Sequence, residues 1–251
     1  MKFAILAGGR GSRLSELTRT VNKPLLEIGG VPLIFHVAAR YFLSGVKEIH
    51  LLTGYRSSYF RKRVLEYQRN IATEHENKFF RSMCKAISLK FVATPSECGT
   101  FQRLESLIGP EPVMVTYGDT LTSVDVARVL QCWNTFGVKK SLTCVTRPPK
   151  RFSSVTWDRA TGLVSDFSEK EGLEDCHVGC GFIVLSDLHL DEAERWFTSL
   201  ESDFLPRLAE QSRLGVYEHV GFWHPVDYLC DLALARETYS RVSSREVPWL
   251  K

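Results

Sequence analysis

The segment from Ala4 to Lys23, AILAGGRGSRLSELTRTVNK, restricts the possible folds of this chain more than any other. A short apolar run, residues 3–7, breaks on Gly8-Gly9-Arg10-Gly11 and delivers Ser12 and Arg13 where a strand hands over to a helix. A strand, a glycine turn and a helix in succession open an α/β sheet, whose ligands gather at the carboxyl ends of its strands. Glycines admit positive φ and let backbone N–H groups come close to an anion; Arg13 and Lys23 add the charge that a polyphosphate needs. The turn has neither the GxGxxG spacing nor the GK[ST] ending of a P-loop, so it reads as a phosphate-binding turn of another kind. A tight connection with no ligand is the alternative at this stage.

The rest of the chain extends the alternation, which implies a parallel sheet. Residues 31–42 have the spacing of a helix with one buried face, hold His36 as a packed or capping histidine, and stop at Gly45. Residues 48–53 read as the second strand, and Ser57-Ser58 as the cap of a basic amphipathic helix running to about Gln68. Residues 69–85 are polar and aperiodic and read as an excursion before a strand at 87–92; residues 94–107 then give a loop containing Gly99 and Thr100, followed by a helix. The run at 111–119 is continuously apolar and ends in Tyr117-Gly118-Asp119. A carboxylate at the end of a central strand, with a glycine before it to admit a ligand, suits Mg²⁺ on a nucleotide. Asp119 could instead serve the next turn, although Ser123 and Asp125 are better placed to cap a helix over 126–136.

After a strand at 141–146, the proline-rich RPPKRF at 147–152 marks the end of a nucleotide-binding part, residues 1–147. A hairpin follows, 154–157 and 163–167, leading to Ser168-Glu169-Lys170. Residues 177–186 read as a buried strand in which Gly179 and Gly181 let backbone approach a ligand or simply mark a bulge. Helices at 191–200 and 203–211, a strand, an aromatic turn and a helix opening near Asp227, with Pro225 at its start, complete the chain. Asp227 is then a first-turn charge or a second metal carboxylate.

Composition excludes several function classes. With 32 basic against 29 acidic residues the net charge is +3, which gives no case for nucleic acid, and Arg61-Lys62-Arg63 reads as a solvated helix face. No stretch is long enough to span a bilayer and the first apolar run is too short for a signal peptide, so a cytoplasmic protein with no membrane partner is expected. Seven scattered cysteines fit reduced thiols, and Cys176, His177 and Cys180 lack the second ligand pair of a zinc site.

Several blocks together resemble the sugar-phosphate nucleotidyltransferases, nearest the glucose-1-phosphate cytidylyltransferase branch. LAGGRGSRL is similar to that family's LAGG-x-GTRL, NKPLLEIGGVPLIFH to PKP-x-x-EIGG-x-P-x-x-xH, VTYGD to FTYGD, TRPPKRF to QPPGRF, and YEHVGFWHPVDYLCD to Y-x-H-x-GFWQPMDTLRD. They run in order from Leu6 to Asp231. The resemblance implies a single Rossmann-like, doubly wound mixed sheet with a small hairpin extension, in which residues 148–251 serve mainly the sugar phosphate and the C-terminal helix. It implies a reaction joining an NTP, CTP by the branch, to a sugar 1-phosphate with release of pyrophosphate. Leu6, Ala7, Gly8, Gly9, Gly11, Ser12 and Arg13 would hold the triphosphate, with Thr94, Gly99, Thr100 and Gly118 completing the nucleotide site. Lys23 would bind phosphate at the reacting centre, Asp119 and Asp227 would bind Mg²⁺, and Glu169, Lys170, Gly179 and Gly181 would meet the acceptor. It also suggests self-association.

The departures from the branch bear on substrate choice. Phe101 and Gln102 replace two glycines of TMTGGRL beside the expected nucleotide pocket, Gly179 stands for the asparagine of INGGF, and Glu171 for the proline of EKP. An absent amide leaves a hexose hydroxyl unpaired, so a modified sugar, a cyclitol phosphate or a phosphonate competes with glucose 1-phosphate as acceptor. A nucleotide-binding regulatory protein without turnover is the reading from another class; Arg13, Lys23, Asp119, Lys170 and Asp227 argue against it.

Overall fold

The computed structural model describes residues 1–137, 140–148, 154–168, 176–186, 196–241 and 247–250. Strands β1 (Lys2–Leu6), β2 (Glu27–Ile28) and β3 (Val31–Pro32) surround the short helix α1 (Ser15–Thr18) and precede α2 (Leu33–Leu43). Next come β4 (Glu48–Thr53), α3 (Ser57–Glu74), α4 (Lys78–Ala86), β5 (Ser88–Ala93), β6 (Val113–Tyr117), β7 (Thr120–Thr122) and α5 (Val126–Phe136). The second half holds β8 (Ser141–Thr146), β9 (Ser154–Trp157), β10 (Val164–Ser168), β11 (Val178–Leu185), α6 (Leu205–Glu210), β12 (Leu214–Glu218), β13 (Trp223–Pro225) and α7 (Leu229–Ser240).

Seven strands form one sheet in the order β12-β8-β11-β6-β1-β4-β5. Only β11 runs against its neighbours; the pairs of β1 with β4 and β6, β4 with β5, and β8 with β12 are parallel. The chain steps outward from β1 through β4 and β5, then returns to place β6 on the other side of β1. That reversal opens a crevice at the carboxyl ends of β1 and β6, where doubly wound sheets bind their ligands. Because β11 is antiparallel, its amino end, with Gly179 and Gly181, comes to the same edge.

Both faces of the sheet are covered, which is why its strands read as continuous apolar runs. Ile5, Leu51 and Met114 pack on the α2 side; Leu6, Leu52 and Val115 face a second cluster built on Phe101, Leu104, Phe204 and Leu208. Tyr41 ties the layers together, its hydroxyl donating to the Ala4 and Met114 carbonyls at 3.1 and 3.2 Å.

Four expectations are corrected. The excursion at 69–85 is helical: α3 continues to Glu74, and α4 buries Phe80, Met83 and Cys84, an i, i+3, i+4 stripe, behind an Asn77 cap that accepts from Phe79 N and Phe80 N. Ser57 and Ser58 do not cap α3. Its N-cap is Arg56 in the left-handed region at φ 52°, while the Ser57 hydroxyl pairs with Thr53. Residues 191–195 lie outside the described set, but 197–199 are not helical, and Asp203 sits inside a π-helical turn, Leu200–Phe204, accepting from Thr198 N and Ser199 N. Pro225 ends β13 instead of opening α7, which begins two residues after Asp227 with Asp231 as its first-turn acid. By contrast Asp125 caps α5 as expected, accepting from Ala127 N and Arg128 N, and β9 and β10 pair as the expected hairpin. All seven cysteines are free thiols. Among the described residues no helix is long and apolar enough to cross a membrane.

His36 proves to be a packed core histidine, fully buried against Phe80, Tyr239 and Trp249. Nε2 donates to the Ile28 carbonyl at 3.1 Å and Nδ1 accepts from the Trp249 indole at 3.3 Å, a pattern that only the neutral ring can satisfy. Burial pulls its pKa down to about 4, against the opposing pull of the Ile28 and Val31 carbonyls. The unfolded chain therefore takes up this proton first as pH falls, and the folded protein loses about 3 kcal/mol between pH 6.5 and 4. Urea unfolding across that range measures the loss, and His36→Gln removes this share of the slope.

Candidate active site

The crevice at β1 and β6 holds a cleft of about 460 Å³. Its floor comes from the end of β1 (Leu6, Ala7), the glycine turn (Gly9, Gly11, Ser12, Arg13) and Lys23-Pro24; Thr100, Asp119 and Asp227 close the sides. Gly11 has φ 64°, and its carbonyl accepts from Leu14 N and the Thr18 hydroxyl, which sets the hand-over into a single turn of 3-10 helix, Ser12–Leu14. A second 3-10 turn, Lys23–Leu25 with Pro24 in its first positions, delivers Lys23 under the first.

Lys23 organises the charges. Its Nζ lies 2.8 Å from Asp119 Oδ2 and 2.8 Å from Asp227 Oδ1, and Arg13 Nη1 lies 3.2 Å from Asp227 Oδ2. Two carboxylates 108 positions apart in the chain thus converge on one ammonium. Burial works against the Lys23 charge, but Asp119 and then Asp227 hold its pKa above the ordinary lysine value. Burial also pushes Asp227 up, yet Lys23 and Arg13 hold it below the usual carboxylate range. Hard oxygen donors meeting at a point suit a divalent cation such as Mg²⁺, which binds through one or two carboxylates and completes its shell with water and substrate phosphate.

Arg103, absent from the sequence-based site, anchors the cleft from behind. It is 4% exposed, and its guanidinium donates to the Thr53, Pro95 and Ser96 carbonyls and to the Thr94 hydroxyl. A Cβ on Gly8 would stand 2.5 Å from Arg103 Nη1, and one on Gly54 1.9 Å. Gly8 is therefore a glycine because the guanidinium occupies the side-chain position, and Gly8 itself is not among the cleft-lining residues. The Thr94 hydroxyl is committed to Arg103 and the Thr53 carbonyl. The arginine stands in CGTFQRL, matching TMTGGRL, so a signal existed; a helix arginine ordinarily reads as surface.

The loop substitutions sit differently from expectation. Phe101 is not among the residues lining this cleft: it is fully buried, 4.5 Å from Phe204 and 6.1 Å from Phe197 between ring centroids, and its N–H donates to the Thr198 carbonyl. Gln102 Oε1 turns back to accept from Gly99 N, and a Cβ on Gly99 would collide with the Thr198 carbonyl at 2.2 Å. Both residues shape the loop and leave the cleft to Thr100. Gly118 is buried, donating to the Leu6 carbonyl, and a Cβ there would press on that carbonyl, Pro24 and Ile34, so its role is close packing. Gly181, at φ 90°, faces the Tyr117 ring, whereas nothing described lies within 4 Å of a Cβ placed on exposed Gly179. Glu169, Lys170 and Glu171 lie outside the described residues.

A larger cleft of about 780 Å³, lined by Arg40, Ser123, Asp125, Arg128 and His219, contains none of the site residues expected from the sequence. Arg40 there already donates to the Ser123 and Val124 carbonyls.

The family model described as nucleotidyl transferase matches residues 2–192. The chain belongs to the nucleotidyl transferase family. Within it, this sugar-phosphate nucleotidyltransferase is 32% identical over 241 residues to the glucose-1-phosphate cytidylyltransferase of Salmonella typhimurium, covering 92% of this chain and 93% of that one. It is 24% identical to the mannose-1-phosphate guanylyltransferase catalytic subunit beta of Xenopus tropicalis, over all of this chain and 68% of the relative. The crystal structure of UDP-glucose pyrophosphorylase complexed with UDP-glucose shares the nucleotidyltransferase fold at TM-score 0.66 and 21% identity, over 96% of this chain and 98% of that chain.

Proposed function

We propose that this nucleotidyltransferase joins CTP to a sugar 1-phosphate or a sugar-like phosphate and releases pyrophosphate, with Mg²⁺ held by Asp119 and Asp227. One observation carries the proposal: both carboxylates meet at Lys23, beside a glycine turn with Arg13 at the switch point of the sheet. The Salmonella relative, named for a cytidylyltransfer, supports the base.

The acceptor phosphate is already an anionic nucleophile, so its attack on the α-phosphorus needs no strong base. The barrier lies in bringing anions together, aligning them and accommodating charge on departing pyrophosphate. Backbone of the Gly9–Ser12 turn and Arg13 hold the triphosphate, and Lys23 meets phosphate at the reacting centre. Lys170 holds the acceptor phosphate. The divalent cation, when bound, supplies further neutralisation of phosphate charge. The missing side chain at Gly179, where nothing described lies within 4 Å of a Cβ, favours an acceptor whose substituents differ from glucose, a cyclitol phosphate or a phosphonate included.

Pyrophosphate release from each of the four NTPs against a panel of hexose 1-phosphates, cyclitol phosphates and phosphonates tests the reading. CTP is expected to give the highest kcat/KM. A different winning nucleotide overturns the base, and silence across the full panel overturns the activity.

A further inference from the structure

Lys23 occupies more than a phosphate-binding position. Its ammonium touches one oxygen of each carboxylate, and Arg13 takes the second oxygen of Asp227. Among the described residues the remaining Asp119 oxygen has only a long 3.4 Å contact from the Thr120 hydroxyl. Two cations balance two anions, and three of the four carboxylate oxygens are already engaged by them.

We propose that Lys23 is a built-in occupant of the cation seat, which holds Asp119 and Asp227 together in the nucleotide-free protein and yields them only when a triphosphate offers the ammonium another partner. This inference rests on the metal reading given above. Placement of the side chain supports it. The Lys23 side chain is 10% exposed, and a Cβ on Gly11 would lie 3.1 Å from the Lys23 Cβ, so the stem is pressed beneath the turn that meets phosphate. Lys23, the two carboxylates and the glycine turn line the same cleft.

The number of ligands points the same way. Among the described residues no three acidic, imidazole or thiol groups are placed so that they could hold one metal ion. Two carboxylates alone make a poor seat for a hard divalent cation, which takes its other ligands from water and phosphate. Metal without nucleotide must displace Lys23 and Arg13 and gains no phosphate oxygen in return. Nucleotide without metal draws the two cations away and leaves two like charges facing each other. Each ligand therefore assists the other, and by linkage the assistance is mutual.

Titration of the nucleotide-free protein with Mn²⁺, followed by the electron paramagnetic resonance of the free ion, tests the proposal without turnover. Lys23→Met keeps the stem and removes the charge. It is expected to bind Mn²⁺ at least tenfold more tightly than the wild type, and its thermal unfolding is expected to rise with Mn²⁺ where that of the wild type hardly moves. Lys23→Gln provides a second neutral variant if the methionine form does not fold. Asp119→Asn is placed in the neutral background to separate the two claims. Tighter binding that Asp119→Asn abolishes supports the occupant role. Equal binding by wild type and neutral variant, abolished by Asp119→Asn, overturns the occupant role and keeps the metal site. Binding that ignores Asp119→Asn overturns the metal reading and the inference with it, and no binding in any nucleotide-free form, the neutral variants included, overturns the inference alone.

Discussion

Asp119→Asn and Asp227→Asn are each expected to lower the rate of pyrophosphate release on the order of 10²-fold or more, with little change in thermal unfolding. Loss of one charged contact at a developing phosphate charge typically costs that much. The fold survives because Lys23 keeps its second carboxylate in either variant, at 2.8 Å in both pairs. Both aspartates are also about one third exposed, so water solvates what the substitution leaves unpaired. Steady-state kinetics with varied Mg²⁺ and a melting curve on the same samples decide the matter. Near-normal Mg²⁺-dependent turnover in either variant would remove that residue from the metal site.

Arg103→Met is expected to cost stability first and nucleotide binding with it. Four acceptors surround the guanidinium: the Thr94 hydroxyl and the carbonyls of Thr53, Pro95 and Ser96. The variant leaves the Ser96 carbonyl without this partner and opens space beneath Gly8 and Gly54, a loss of about 3 kcal/mol. For a chain of this length that lowers Tm by roughly 10 °C. Because Arg103 fastens the loop after β5 to the ends of β1 and β4, KM for the nucleotide should rise more than kcat falls. Arg103→Lys recovers only part, since a point charge cannot reach the acceptors of a planar fork. Unchanged Tm and KM in Arg103→Met would show that the turn holds its shape alone.

These two sites also show what could be read from the sequence. β4, α5, β8 and β9 fall at the expected bounds because turn residues close the strands, Gly54 after β4, Pro148 after β8 and Asp158 to Gly162 after β9, and because the cap of α5, Asp125, is explicit. The place of Asp119 at the cleft was legible because it follows a buried strand at the carboxyl edge of the sheet. α4 was not legible: its stripe is three residues long, Phe80, Met83 and Cys84, and the break after α3 blurs the period on both sides. Arg103 was hidden for another reason. Its burial depends on Gly8 and Gly54, from two different strand ends, meeting above one guanidinium, and no local pattern records that meeting. Phe101 misled in the opposite direction, since a bulky residue in place of glycine suggests an altered pocket, whereas its ring belongs to the core with Phe204.

The most direct measurement is the stoichiometry of a single incubation with CTP, an acceptor phosphate from the panel and Mg²⁺. Pyrophosphate and a nucleotide diphospho-product are expected in equal amounts, and neither should form when CTP, acceptor or Mg²⁺ is left out. Pyrophosphate or phosphate released from CTP without acceptor, or a product that forms without Mg²⁺, would contradict the account.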